Sequence, residues 1–365
     1  MTSRSIVLFA AWTIPAAALI LLLQPNRVVR AGGRAVPTGT SISINSPLGL
    51  PPVPDPPDNP PTAETIALGR RLFYDPRLSV DNTVSCSTCH NPTLAFSDGK
   101  RVAEGVKQQK GLRNAPSLLN AAYREGREGF FWDGPSPSLE AQAQEPVKNS
   151  LEMAHSLEGV EHKLTADPGY RAAFQRAFGD GPITYDEVGK AMASFERTLL
   201  CGNSPFDRYF YGHDESALSE SAKRGFEIFR NPGEANCATC HTIGDQYALF
   251  TDNKFHNDSV GPTAQNDDPI DLGRFAITRV DLDKGAFRTP SLRNVALTAP
   301  YFHDGSRATL EEVVNFYARG GNPVRYRDKE LQPLWLTGED RADLVTFLKS
   351  LTGEMPANAG PPGKK

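Results

Sequence analysis

A chain of 365 residues has room for about two domains at roughly 150 residues each, and its 39 basic and 43 acidic residues leave a formal net charge of −4. Without a basic stripe, that balance excludes nucleic acid as a partner class. Only 39% of residues are hydrophobic while Gly (31) and Pro (30) abound, which suits a loop-rich chain whose core is completed by something other than side chains.

The first element follows "MTSR": an uncharged apolar run from Ser5 to Leu23. It is long for a signal-peptide core and just long enough to cross a bilayer. Val29-Arg30-Ala31 offers an imperfect cleavage site. Residues 1–32 are expected to be a signal peptide or an N-terminal membrane anchor, so the protein is expected to be exported, either soluble or anchored there. Residues 33–62 end in "LGLPPVPDPPDNPPT" and read as a proline-rich linker with no packed core. Residues 354–365, with "ANAGPPGKK", read as a disordered tail.

Between these ends the signals are helical. "ITYDEVGKAMASFERTLLCG" pairs Thr184 with Glu187 as a capping box, runs Val188, Met192, Phe195 and Leu199 along one face, and closes at Gly202. "TLEEVVNFYARGG" pairs Thr309 with Glu312, aligns Leu310, Val313, Val314 and Tyr317, and stops at Gly320-Gly321. A tyrosine on that face needs a partner for its hydroxyl, either one hydrogen bond in the core or something bound. "TGEDRADLVTFLKSLTG" gives a last helix. Strand-like alternation is scarce, and the expected fold class is all-α with few or no strands.

The body repeats itself. "GRRLF", "CSTCH", "RNAPSL", "FWDG" and "SLEAQ" recur in order as "RGFEIF", "CATCH", "RTPSL", "FHDG" and "TLEEV". Two related units are expected, residues 63–205 and 206–353, the second with an extra polar segment near "FHNDSVGPTAQNDDPIDLGRF" expected to be a surface loop.

Four of the five cysteines lie in Cys86-Ser-Thr-Cys89-His90 and Cys237-Ala-Thr-Cys240-His241. Cys-x-x-Cys-His attaches c-type haem: two thioethers hold the porphyrin edge and the histidine reaches the iron. A shared zinc site would bring the Cys pairs within about 15–20 residues, a thioredoxin-like pair needs a βαβ context, and disulfides leave both histidines unexplained. Two covalently bound haems c are expected. Cys201 is left over, as a buried, inert thiol. The sixth iron position separates a wire from a catalyst. No His or Met follows His90 until Met153 and His155, whereas His256, His303, Met355 and tyrosines including Tyr317 follow His241.

With these residues in view the chain resembles the bacterial dihaem cytochrome c peroxidase family, and within it the MauG-type branch. The resemblance spans roughly residues 63 to 353, through both haem motifs, "RNAP", "FWDG", "SLEAQAQEPVKNSLEM", "RTPSLRNVALTAPYFHDG" and "FYARGG". It implies two cytochrome c-like haem domains in a periplasmic protein, with the N-terminal haem peroxidatic and Gln142, Pro146 and Glu152 on its open face. A carboxylate there can take a proton from hydrogen peroxide and return it to the departing oxygen. The resemblance also implies that Trp132 passes electrons between the haems. It further implies Ca²⁺ bound by the Asn114 side chain and the carbonyls of Thr298 and Pro300, donors that suit a hard cation. On the residues alone, Glu152 is equally a solvated helix residue and Trp132 equally a core indole.

Two departures from typical members matter. Those peroxidases block the first iron with a His in the following loop, and none lies between His90 and His155, so the first haem is expected to be open without prior reduction. They ligate the second iron with a Met, and that position is Tyr317 here, as in the MauG-type branch. Tyr317 is therefore expected opposite His241, where an oxygen ligand favours oxidised iron. The implied activity is reduction of hydrogen peroxide at the His90 haem, with electrons delivered through the second haem. The donor would be a small c-type cytochrome or a protein whose own side chains are oxidised. MauG uses a surface Trp just before its second haem motif, and "NPGEANCATCH" has none, which keeps the reading at peroxidase. The alternative is a non-catalytic dihaem electron carrier. The oligomeric state is left open.

Overall fold

Capped helices crossing at glycines carry the architecture. The computed structural model describes residues 35–124, 129–262, 269–357 and 359–363; the expected leader or anchor at 1–32 lies outside them. The longer helices are α1 (Ala63–Phe73), α2 (Leu157–Ala166), α3 (Pro168–Phe178), α4 (Tyr185–Glu196), α5 (Glu220–Arg230), α6 (Leu310–Ala318) and α7 (Gly338–Ser350). Among the described residues the one sheet is a two-residue antiparallel pair, β1 (Phe255–His256) and β2 (Phe287–Arg288), with Phe255 opposite Arg288 and His256 opposite Phe287. The chain is thus mostly helical, as its periodicity predicts, and none of the described helices is long and apolar enough to cross a membrane.

The caps follow the sequence closely. The Thr184 hydroxyl accepts from the Glu187 N–H at 3.3 Å, and the Glu187 carboxylate takes the Thr184 N–H. At α6 the Thr309 hydroxyl accepts from Glu312 N–H, but the Glu312 carboxylate reaches one residue further back, to Ala308 N–H at 2.7 Å. α4 is buried on nearly every side rather than along one stripe. Its polar side is covered by the segment expected to be a free linker. Asn59, fully buried, donates to the Lys190 carbonyl (3.1 Å) and to Glu140 (2.7 Å), while Lys190 Nζ reaches the Ala35 carbonyl (2.7 Å). Leu50 joins a cluster with Tyr123 and Leu200. Prolines keep this stretch extended, and its carbonyls and one Asn give it partners on the body.

The tail is also held. Tyr74 donates to the Ala359 carbonyl at 2.6 Å and Arg70 to the Gly360 carbonyl at 2.6 Å, and Ala359 is buried. The expectation of disorder rested on composition, which does not reveal carbonyls that meet side-chain donors 285 and 290 residues away in the chain.

Two core clusters flank the site. One gathers Leu68, Leu72, Val160, Leu164, Phe174 and Val188 from α1–α4. The other is aromatic: Phe206 lies 5.2 Å from both Phe226 and Phe250, and Phe229 5.0 Å from Phe347. A buried bidentate pair, Arg293 to Asp207 at 2.9 Å on each arm, ties the second "PSLRN" segment to the helical turn Pro205–Phe210. Cys201 is fully buried, with Asn294 Oδ1 at 3.1 Å from its sulfur.

α1 packs on α4, and α5 on α7. The first crossing is allowed by Gly69, where a Cβ would overlap the Ala191 carbonyl oxygen; the second by Gly225, where it would overlap that of Asp343. Gly69→Ala and Gly225→Ala are each expected to destabilise the haem-loaded protein by about 1–3 kcal/mol through overpacking. Gly338→Ala, which faces open space, should stay within about 0.5 kcal/mol. Thermal unfolding followed by circular dichroism checks all three.

Candidate active site

Both Cys-x-x-Cys-His motifs sit on tight helical turns that end at the histidine. His90 N–H bonds to the Cys86 carbonyl and His241 N–H to that of Cys237, each at 2.9 Å. The turn fixes which way each ring leaves the backbone, and a second bond fixes its rotation. His90 Nδ1 is 3.1 Å from the Phe96 carbonyl, and His241 Nδ1 is 2.9 Å from that of Phe250. A carbonyl can only accept, so Nδ1 carries the proton and Nε2 keeps the lone pair an iron needs. Burial pulls the His90 pKa down to about 4 and lowers that of His241, so both rings are neutral, as ligands must be. The four motif thiols are unbridged. Two free thiols and a neutral, tied imidazole on the wall of each of two cavities fit a covalently attached haem in each.

The first cavity brings together Cys86, Cys89 and His90 with Gln142, Pro146 and Glu152. Ser138 caps the turn Leu139–Gln142 through Ala141 N–H (3.2 Å), and the Pro146 carbonyl accepts from Met153 N–H (3.2 Å). The loop after His90 crosses above, Val106 N–H bonding the Glu152 carbonyl at 2.7 Å. Gly105 is required there, because a Cβ would overlap the backbone of Leu151 and Glu152. Asn149 Nδ2 donates to Glu152 Oε1 at 2.6 Å. Burial nevertheless raises the Glu152 pKa, the Asn149 bond opposing it. His155 turns elsewhere: its Nδ1 accepts from Ser156 N–H at 2.9 Å, and it is not on the cavity wall. Met153, Met192 and Glu196 do line it. The signal for Met192 and Glu196 was their i, i+4 spacing on α4, which reads as plain core in a sequence.

The second cavity is walled by Cys237, Cys240, His241, Trp132, His303 and Tyr317. Leu310, Val313 and Tyr317 of α6 line the cavity, while Val314 and Phe316 are buried in the core behind it. The Tyr317 hydroxyl donates to Asp258 Oδ2 at 3.3 Å, while Asp258 Oδ1 is buried without a partner. Burial lifts Asp258 to about 6 and holds the tyrosine phenol protonated. Asp258 was not foreseen, since "FHNDSV" was expected on the surface. In fact Asn257 and Ser259 are buried, because β1 pairs with β2 and draws the segment inward; residues 263–268 of that expected loop lie outside the described ones.

The other candidates opposite His241 are engaged elsewhere. His256 has Asp252 at 3.0 Å on Nε2 and Asp328 at 2.5 Å on Nδ1, and the Asp252 bond first raises its pKa to about 11, leaving no lone pair for iron. His303 stacks on Phe287 with centroids 3.6 Å apart. Met355 is 41% exposed and off the cavity wall.

Trp132 joins the two halves. Its indole N–H donates to the Asn114 carbonyl (2.9 Å), Asn114 N–H donates to the His303 carbonyl (2.7 Å), and the His303 ring meets the indole edge-on at 6.4 Å. The Asn114 amide donates to the Lys100 carbonyl at 2.8 Å. Thr298 and Pro300 precede His303 on the same loop.

Residues 63–215 match the family model for di-haem cytochrome c peroxidase, and residues 222–352 that for cytochrome c. The chain is 44% identical over 303 residues to the methylamine utilization protein MauG of Methylorubrum extorquens, covering 83% of this chain and 82% of that one. It is 39% identical over 295 residues to the cytochrome c551 peroxidase of Pseudomonas aeruginosa, 79% of each chain. A crystal structure of a MauG-like protein associated with microbial copper homeostasis superposes with a TM-score of 0.77 at 35% identity, covering 86% of this chain and 96% of that one. Two haem-motif cavities, the two family models and identity along most of the chain lead to one statement: this protein belongs to the MauG and dihaem cytochrome c peroxidase family and carries cytochrome c-like domains for two c-type haems.

Proposed function

We propose that the chain is a MauG-type peroxidase that reduces hydrogen peroxide in the His90 cavity with electrons from an external protein. The observation that carries this is the convergence of Gln142, Pro146 and Glu152 on the cavity that holds Cys86, Cys89 and His90. Bound haem supplies the redox chemistry: one hydrogen peroxide, two protons and two electrons become two waters. The chain's part is to move the proton. Glu152, with Oε1 bonded by Asn149, takes a proton from one peroxide oxygen at its carboxylate and returns it to the departing oxygen. Gln142 holds the peroxide by its amide, and Pro146 keeps that wall apolar. Met153 and Met192 are the thioethers on the wall, both buried in the adjoining core. The competing reading, a non-catalytic electron carrier, would need one of them as a sixth ligand.

In this reading Trp132 carries electrons between the cavities, with its indole fixed by Asn114 and edged by His303. Tyr317, whose hydroxyl donates to Asp258, would be the residue that holds the second haem's iron together with His241. Asn114, Thr298 and Pro300 supply an amide and carbonyl oxygens of the kind Ca²⁺ takes. The electron donor is a small c-type cytochrome or a protein oxidised on its own side chains, met after export to the periplasm. The two haem units descend from one duplicated unit. Matching details support that: positive φ at Phe131 (68°) and Phe302 (72°), at Asn120 and Asn294 (both 61°), and bridges Phe130–Ser136 and Tyr301–Arg307.

Glu152→Gln should slow the reaction with peroxide by about 10²–10⁴-fold; an unchanged rate in stopped flow removes Glu152 from the mechanism. The carboxylate must be ionised to accept the proton, and its pKa is raised. The wild-type rate should therefore fall with decreasing pH along a limb above the ordinary carboxylate range, absent in the variant. Tyr317→Phe should change the ferric absorption and electron paramagnetic resonance of the second haem alone. Identical spectra would return Tyr317 to a packing role.

A further inference from the structure

Two of the buried arginines have acids: Arg293 pairs with Asp207 and Arg197 with Glu140. Among the described residues Arg288 has none. Arg288 is 2% exposed, lines the His241 cavity, and spends its guanidinium on two long bonds, to the carbonyls of Phe131 (3.4 Å) and Thr289 (3.3 Å). Its backbone N–H holds the Trp132 carbonyl at 2.8 Å.

A buried charge is held at a cost unless it is paired. Burial lowers the Arg288 guanidinium pKa, and an anion beside it would offset that cost. The cavities are built for groups that bring anions: a haem carries two propionate carboxylates besides the edges that its thioethers take up. A guanidinium is the side chain best shaped for a carboxylate.

We propose that Arg288 is an anion site for a propionate of the haem on His241, beside Trp132. It holds that propionate ionised and raises that haem's potential, because a nearby cation disfavours the more positive oxidised iron. This rests on the family's two haems and not on the peroxidase reading, and potentials are read without peroxide.

The test is a spectroelectrochemical titration of the full haem-loaded protein with Arg288→Gln and Arg288→Lys, haem content being verified for each. Arg288→Gln should lower the midpoint potential of the His241 haem and give it a downward slope with rising pH between about pH 5 and 8, where a released propionate titrates. Arg288→Lys should keep most of the wild-type value, and the His90 haem should be unmoved in both variants. An unchanged potential and slope for the His241 haem in Arg288→Gln overturns the proposal. Should the Gln variant fail to load haem, infrared spectra of wild-type protein with ¹³C-carboxyl-labelled haem decide. A propionate that stays ionised down to about pH 5 supports the site, and propionates all protonated at that pH overturn it.

Discussion

The interaction on which the rest depends is the bond from each motif histidine to a backbone carbonyl, His90 to Phe96 and His241 to Phe250. It selects the tautomer, stops the ring turning, and presents Nε2 to the cavity. Burial keeps both rings neutral, so ligand and geometry are prepared before any metal arrives. The carbonyls come from turns that the two core clusters hold in place, so the packing of α1 on α4 and of α5 on α7 bears directly on where each iron can sit.

From that common base the two cavities diverge. Opposite His90 the wall offers an amide, a proline and a carboxylate with a raised pKa, groups that can bind and move a proton. Opposite His241 it offers a phenol whose present partner is a buried aspartate. In the proposed reading the first cavity takes a small oxygen substrate and the second holds charge. Between them Trp132, Asn114 and His303 form one hydrogen-bonded and stacked knot, so neither half can shift far without moving the route between them.

Much of this was legible in the sequence, and unevenly. The haem motifs and the capped helices were readable because each depends on short spacings, whereas the trio Gln142, Pro146 and Glu152 was implied by the family resemblance. Tyr317 was readable through helical periodicity, and it lines the cavity together with Leu310 and Val313 of the same helix, Val314 packing in the core. What stayed hidden depends on distant partners. The proline-rich segment lies on α4 because Asn59 and the Ala35 carbonyl meet Lys190, and the tail because Arg70 and Tyr74 find its carbonyls. Asp258 was hidden by its polar neighbours, and that Arg288 has no acid among the described residues is visible only in three dimensions.

The central claim is an iron at His90 that meets peroxide without prior reduction, served by Glu152. The most direct measurement is stopped-flow absorption after one equivalent of hydrogen peroxide is mixed with the resting, fully oxidised protein. The account predicts an immediate change in the haem spectrum with one peroxide consumed per protein, persisting until a donor protein is added. A spectrum that stays still until the second haem has first been reduced would contradict it.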